Sequence, residues 1–155
     1  MDEIYRVSLF GHREIYDLRA IEEKLYPILA KLLRTKPFVE LRIGRNGEFD
    51  EYAASVIKRV QKEFGKDNNA LILVLPYTVK DMEYYEVYYD EMMIPESIGK
   101  AHPKQAITLR NRWLVETADL VIVYVERESG GAYTAMRYAE KLNKTIINLA
   151  EKDVD

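Results

Sequence analysis

Two short runs limit this chain more than any other feature. Ala70 to Leu75 is apolar at every position, and Asp119 to Val125 is apolar after its first residue. A strand with one wet face alternates apolar and polar residues. A strand apolar on both faces must be covered on both, as happens in parallel sheets with helices above and below. Three further runs read as strands: Ile4 to Phe10 ending at Gly11, Phe38 to Ile43, and Thr145 to Leu149.

Helical patterns fill the spaces between them. Leu18, Ile21, Leu25, Ile28, Leu29 and Leu32 share one face, with Asp17 placed to cap the helix. Pro27 lies inside that pattern. A proline there removes a hydrogen bond and costs about 3 kcal/mol, so the sequence predicts a kink or break near Tyr26. Ala53, Val56, Ile57, Val60 and Phe64 form a second apolar face, with Asp50 as its expected cap and Gly65 as its stop. A third helix is expected from about Lys104 to Thr117, with Leu109, Trp113 and Leu114 in the core. The last shows Ala132, Met136, Ala139 and Leu142 on one face and ends at Asn143.

Strands alternating with helices pair in parallel through right-handed crossovers. The expected fold is therefore a three-layer, doubly wound α/β sheet of about five strands, ordered 3-2-1-4-5, in one domain spanning residues 1–155. The order places a topological switch between strands 1 and 4. Ligands of such sheets bind there, beyond the carboxyl ends of the strands.

Three loops at that end carry candidate binding residues. After strand 1 come Gly11, His12 and Arg13. Glycine permits a tight turn, and arginine offers a planar fork of donors suited to phosphate. An ordinary solvent-exposed turn fits this loop equally well. After strand 2 come Gly44, Arg45, Asn46, Gly47, Glu48, Phe49 and Asp50. Its glycines could present amides to an anion, although a plain strand-to-helix turn accounts for them too. After strand 4 come Ser129, Gly130, Gly131, Ala132, Tyr133 and Thr134. Paired glycines opening a helix, flanked by hydroxyls, favour a phosphate at its positive end; close packing of helix on sheet is the other reading. No Walker loop and no Gly-x-Gly-x-x-Gly fingerprint is present.

With these loops, Arg110-Asn111-Arg112-Trp113 and the stretch from Ala118 to Asn148, the chain resembles the SLOG superfamily. That Rossmann-like group holds the DNA-processing DprA/Smf proteins and the LOG nucleotide hydrolases, and the resemblance is nearest to its YpsA-like branch. It implies a nucleotide or nucleotide-derived ligand, held by Gly11, His12, Arg13, Gly44, Arg45, Gly47, Glu48, Arg112, Ser129, Gly130, Gly131 and Thr134. LOG enzymes carry Pro-Gly-Gly-x-Gly-Thr-x-x-Glu. Here Gly130, Gly131 and Thr134 match, but Ser129, Tyr133 and Arg137 stand at the positions of the proline, the third glycine and the catalytic glutamate. Glycosidic cleavage needs a carboxylate beside an oxocarbenium-like state, and arginine cannot supply it. The departure points to a sensor or binding protein. One alternative is an N-glycosidic hydrolase or transferase that borrows Glu48, Asp50, Glu126 or Glu128; a third class is a DprA-like nucleic-acid partner, against which the acidic net charge weighs.

Other features bound the function. The net charge of −3 argues against nucleic acid and anionic lipid as partners. The absence of cysteine removes disulfides and thiolate chemistry and suits a reducing cytoplasm. Met1 to Arg6 is no signal peptide, and no apolar run approaches the roughly 20 residues of a membrane span. Two distant histidines, His12 and His102, have no metal-site spacing, and no cofactor is implied. Of Arg110 and Arg112, at most one can face the site, since residues two apart lie on different helix faces. The tyrosine-rich segment 77–95 reads as a short amphipathic helix over a sheet edge, or as an aromatic surface for a base or a second copy in a homodimer. Its interleaved acids argue against single strands.

Overall fold

The computed structural model describes residues 3–151. Met1 and Asp2, part of the stretch read as no signal peptide, lie outside the described residues. The strands are β1 (Ile4–Gly11), β2 (Phe38–Ile43), β3 (Asn69–Val74), β4 (Glu91–Met93), β5 (Leu120–Tyr124) and β6 (Thr145–Asn148). The helices are α1 (Leu18–Thr35), α2 (Glu48–Phe64), α3 (Met82–Tyr88), α4 (Pro103–Glu116) and α5 (Gly131–Lys141), with a 3-10 turn at Glu96–Ile98. The strands form one parallel sheet in the order β4-β3-β2-β1-β5-β6. No helix among the described residues is long and apolar enough to cross a membrane.

The five expected strands keep their expected order as β3-β2-β1-β5-β6. The correction is a sixth, β4, at the edge beside β3. It has three residues and no alternation to betray it. Its position is set by Asp90, whose carboxylate accepts from the Leu71 amide (2.8 Å), Gln61 Nε2 (2.8 Å) and Lys66 Nζ (2.9 Å), while its own amide donates to the Leu71 carbonyl.

Side-chain alternation sorts the two cores. Leu71 and Leu73 of β3 join the cluster built with α1 and α2, whereas Ala70, Ile72 and Val74 join the one built with α4 and α5. The sheet is thus covered on both faces, which is why β3 and β5 are buried along their whole length.

Three local expectations change. The helix α1, capped by Asp17 onto the Ala20 amide, runs unbroken through Pro27. Pro27 and Glu23 both face solvent, so the carbonyl freed of its partner meets water. Helix α2 begins at Glu48, with Gly47 rather than Asp50 as its cap residue; Asp50 instead sits in the first turn and accepts from the Asn46 amide at 2.8 Å. In α4 the fully buried residues are Ala106, Arg110, Leu114 and Val115, so Leu109 and Trp113 are only partly buried.

A buried arginine fixes α4 to the sheet. Arg42 in β2 is 1% exposed. Its Nη2 donates to Ser8 Oγ (2.9 Å) and to the Leu114 carbonyl (3.2 Å), and its guanidinium lies 4.9 Å from the Trp113 ring centre. Burial pushes its pKa down to about 10, opposed by Glu40, so it remains charged at neutral pH. Because Leu114 is tied down, Arg110 one turn earlier lies over the ends of the strands.

Candidate functional site

At the carboxyl ends of β1, β2 and β5 lies a cleft of about 500 Å³. It forms where the crossovers part: α2 leaves on one face, and α4 and α5 run along the other. Its walls come from the β1–α1 loop, the β2–α2 loop, one face of α4 and the start of α5.

His12 joins two of these walls. Its Nε2 accepts from the amides of Glu126 (3.0 Å) and Arg127 (3.3 Å), and its ring meets Tyr124 edge-on. Burial lowers its pKa, and Arg127 adds to the effect against Glu126. The imidazole is therefore neutral and carries its proton on Nδ1. It works as a staple between the β1 and β5 loops.

The β1 and β2 loops are stapled as well. The Glu48 amide donates to the Arg13 carbonyl (2.9 Å), and the Glu48 carboxylate accepts from the Ile15 amide (3.0 Å) and the Tyr52 hydroxyl (3.4 Å). A Cβ on Gly11 would lie 2.0 Å from Phe49 Cγ, and one on Gly47, at φ +151°, would lie 2.6 Å from Arg13 Cα. These two glycines let the crossovers close on each other. That role differs from the ligand approach expected of Gly11.

The cationic wall is α4. Arg110 is 6% exposed. Its Nε donates to Asn111 Oδ1 (2.9 Å) and its Nη1 to the Val74 carbonyl (3.0 Å), while Nη2 makes no hydrogen bond among the described residues. Burial lowers its pKa, opposed by Asp50 and Tyr77. Asp50 approaches from the opposite wall: a Cβ on Gly44 would be 3.2 Å from both Asp50 Oδ2 and Arg110 Nη1. Burial pushes the Asp50 carboxyl up to about 6, against the pull of the Asn46 amide and Arg110.

The last wall is the start of α5. Gly130, at φ +91°, turns the chain into the helix, and no side chain caps the first amides. Those amides have no partner within a helix and carry its positive end. Asn111 stands close by, 3.9 Å from where a Cβ on Gly131 would be. Arg13 is exposed, and its side chain makes no ion pair among the described residues. Arg127 sits at the lip, its Nη2 bonded to the Glu14 carbonyl at 3.1 Å. Free amides, an unfilled guanidinium donor and the exposed or lip-side arginines Arg13 and Arg127 together can hold phosphate oxygens.

Of the residues singled out by sequence, Gly11, His12, Arg13, Gly44, Ser129, Gly130 and Gly131 line this cleft. The others do not. Arg45 stacks over Tyr85, 5.3 Å from its ring centre. Gly47 and Glu48 close the loops. Thr134 returns its hydroxyl to the Gly130 carbonyl at 3.0 Å. Arg112 lies on the outer face of α4, stacked 5.7 Å from Tyr138.

Of the pair, Arg110 and not the expected Arg112 lines the cleft. Helical spacing held the clue: Ala106, Arg110 and Leu114 recur every four residues, which sets Arg110 in the buried stripe. Asn111, Arg127 and Tyr16 also line the cleft. Nothing in their spacing marked them, because the loops and α4 meet only after folding.

No protein-family model and no curated protein matches this sequence. Among solved structures the chain is similar to DNA processing protein A (DprA) from Helicobacter pylori, with a TM-score of 0.62 and 16% sequence identity over 92% of this chain and 63% of that one. The likeness is one of fold, and this chain spans 63% of the length of its neighbour. DprA belongs to the superfamily that the sequence resembles; the YpsA-like branch finds no such counterpart. The neighbour is a protein that binds single-stranded DNA. That finding overturns the expected small nucleotide-type ligand, in its sensor and its hydrolase forms alike, and the expectation that nucleic acid is not a partner. Net charge sums the whole surface: acids crowd the tyrosine-rich segment, as Asp81, Glu83, Glu86 and Glu91, whereas Arg13, Arg110 and Arg127 line one cleft with two acids, Glu14 and Asp50.

Proposed function

We propose that this chain is a SLOG-type domain that holds single-stranded nucleic acid by its backbone phosphates in the cleft at the carboxyl ends of β1, β2 and β5. The compartment that goes with such a partner is the cytoplasm. The observation that carries the reading is Arg110. Arg110 is held in place by its Nε and Nη1, while its Nη2 makes no hydrogen bond among the described residues and is not buried, so a charged donor is left for a ligand in the same cleft as the uncapped amides of α5. Arg13, Ser129 and Arg127 supply further donors from other walls of the cleft, so that successive phosphates find separate partners. The fold shared with a single-stranded-DNA-binding neighbour favours a strand over a lone nucleotide.

The test is fluorescence anisotropy of an end-labelled thymidine oligomer with the wild-type chain, Arg13→Ala and Gly131→Asp. A Cβ on Gly131, which opens α5, would meet its nearest neighbour, Asn111 Nδ2, at an ordinary van der Waals distance of 3.9 Å, so an aspartate there adds charge to the anion site without strain and suits the helix start. Binding is expected to weaken by about tenfold or more in Gly131→Asp, consistent with about 1.4 kcal/mol or more, with an unchanged or raised melting temperature. Equal binding by all three proteins, or none by the wild type, would dismiss the proposal.

A further inference from the structure

Tyr16 is the most solvent-exposed of the tyrosines that line or approach the cleft, at 76%, against 41% for Tyr77. Exposure of a large ring gains nothing for the core. Yet this ring is held. Its hydroxyl donates to the Glu14 carboxylate at 3.2 Å, and the Arg127 guanidinium lies 5.6 Å from its centre. Arg127 is itself fixed by the Glu14 carbonyl and, through its amide, by the His12 staple. Two loops thus hold one aromatic ring at the lip of the cleft, beside Arg13 and across from Gly130.

We propose that Tyr16 is the platform on which an unpaired nucleobase stacks when a strand lies in the cleft; this rests on the function proposed above. Arg127 occupies one side of the ring, and the exposed remainder accepts the base. Every nucleobase has a π-face, so the contact is indifferent to sequence but demands an unstacked base. A duplex keeps its bases stacked inside and cannot make it. Tyr16 is therefore the residue that makes the cleft choose single strands, while the arginines and amides hold the backbone. The tyrosines of α3 do not offer the same surface. Tyr84 and Tyr85 pack edge-on, Tyr88 and Tyr89 do likewise, and acids surround them.

The experiment compares wild type, Tyr16→Ala and Tyr16→Phe on three labelled probes: a thymidine oligomer, a uridine oligomer, and an abasic oligomer with the same sugar-phosphate chain. Tyr16→Ala is expected to weaken binding to the base-bearing probes by about 5- to 150-fold and to leave the abasic probe within about twofold. Tyr16→Phe keeps the ring and is expected to stay close to wild type on all three. The two base-bearing arms distinguish DNA from RNA as the source of the base. A loss of equal size on the abasic probe, or no loss on any, overturns the stacking role while the backbone-binding reading stands. Failure of the wild type to bind any probe overturns both.

Discussion

At the scale of single residues, Asp50 and Arg110 set the charge of the cleft. Asp50 faces Arg110 from α4, the Asn46 amide from its own loop, Glu51 along its helix, and the Tyr89 ring. Its folded carboxyl titrates near 6, above the usual carboxylate value of 3.8. A group raised on folding favours the folded state in its protonated form. Its stabilisation is complete below the ordinary carboxylate range and is lost as pH rises through about 6. A shift of this size corresponds to at most about 3 kcal/mol. Asp50→Asn keeps an acceptor for the Asn46 amide and removes the charge. It is expected to raise the urea midpoint at pH 8, with little change at pH 4, and to tighten strand binding at pH 8 because Arg110 no longer shares itself with a carboxylate. A lower midpoint at pH 8 would show that the attraction of Arg110 outweighs the cost of burying the charge.

Arg110 also shows what was legible at this scale and what was not. Its place in the buried stripe could be read from a spacing of four. Its partner Asp50, 60 residues earlier in the chain, could not be assigned to it, because only the meeting of α2 and α4 above the sheet brings the two together. Arg42 gives the complementary case. It alternates with Val39, Leu41 and Ile43, and so reads as the wet side of a strand; in a sheet covered on both faces that side is buried too.

At the scale of elements, the edge strand β4 depends on one carboxylate. Asp90 meets the Leu71 amide, Gln61 and Lys66; burial alone would raise its pKa, but those hydrogen bonds outweigh it and lower the value. A carboxyl lowered on folding stabilises the protein above the usual carboxylate range, and that contribution disappears as pH falls through the folded value. Asp90→Ala would leave the Leu71 amide without its side-chain acceptor and Gln61 Nε2 with Asn69 Oδ1 alone. A loss of about 1–3 kcal/mol in urea unfolding at pH 7 is expected. Faster amide exchange should be confined to β4 and the edge of β3. Uniform exchange across the sheet would mean that Asp90 supports the whole fold rather than this edge. No sequence pattern announces β4, since a strand of three residues is too short to show a period. The longer elements announced themselves because each buries a continuous face.

At the scale of the whole molecule, the overall charge of −3 and the local charge of the cleft pull in opposite directions. Salt distinguishes them. If Arg13, Arg110 and Arg127 together neutralise about three phosphates, log affinity for a single strand should fall against log salt with a slope of about −2, a loss of about 15-fold between 50 and 200 mM. Arg13→Ala should flatten the slope by about 0.7. A slope near zero would place the binding energy in uncharged contacts and remove the arginines from the interface.

By itself the sequence determined the layers, the parallel sheet and the order of its five longer strands. Those follow from periodicity, which is local, and from the handedness of crossovers, which is general. Only the tertiary structure decided which carboxylate faces Arg110, which glycines serve packing instead of a ligand, and which tyrosine stands at the lip of the cleft. Such properties belong to pairs of residues far apart in the chain, and their distances exist only once the two cores have closed on the sheet.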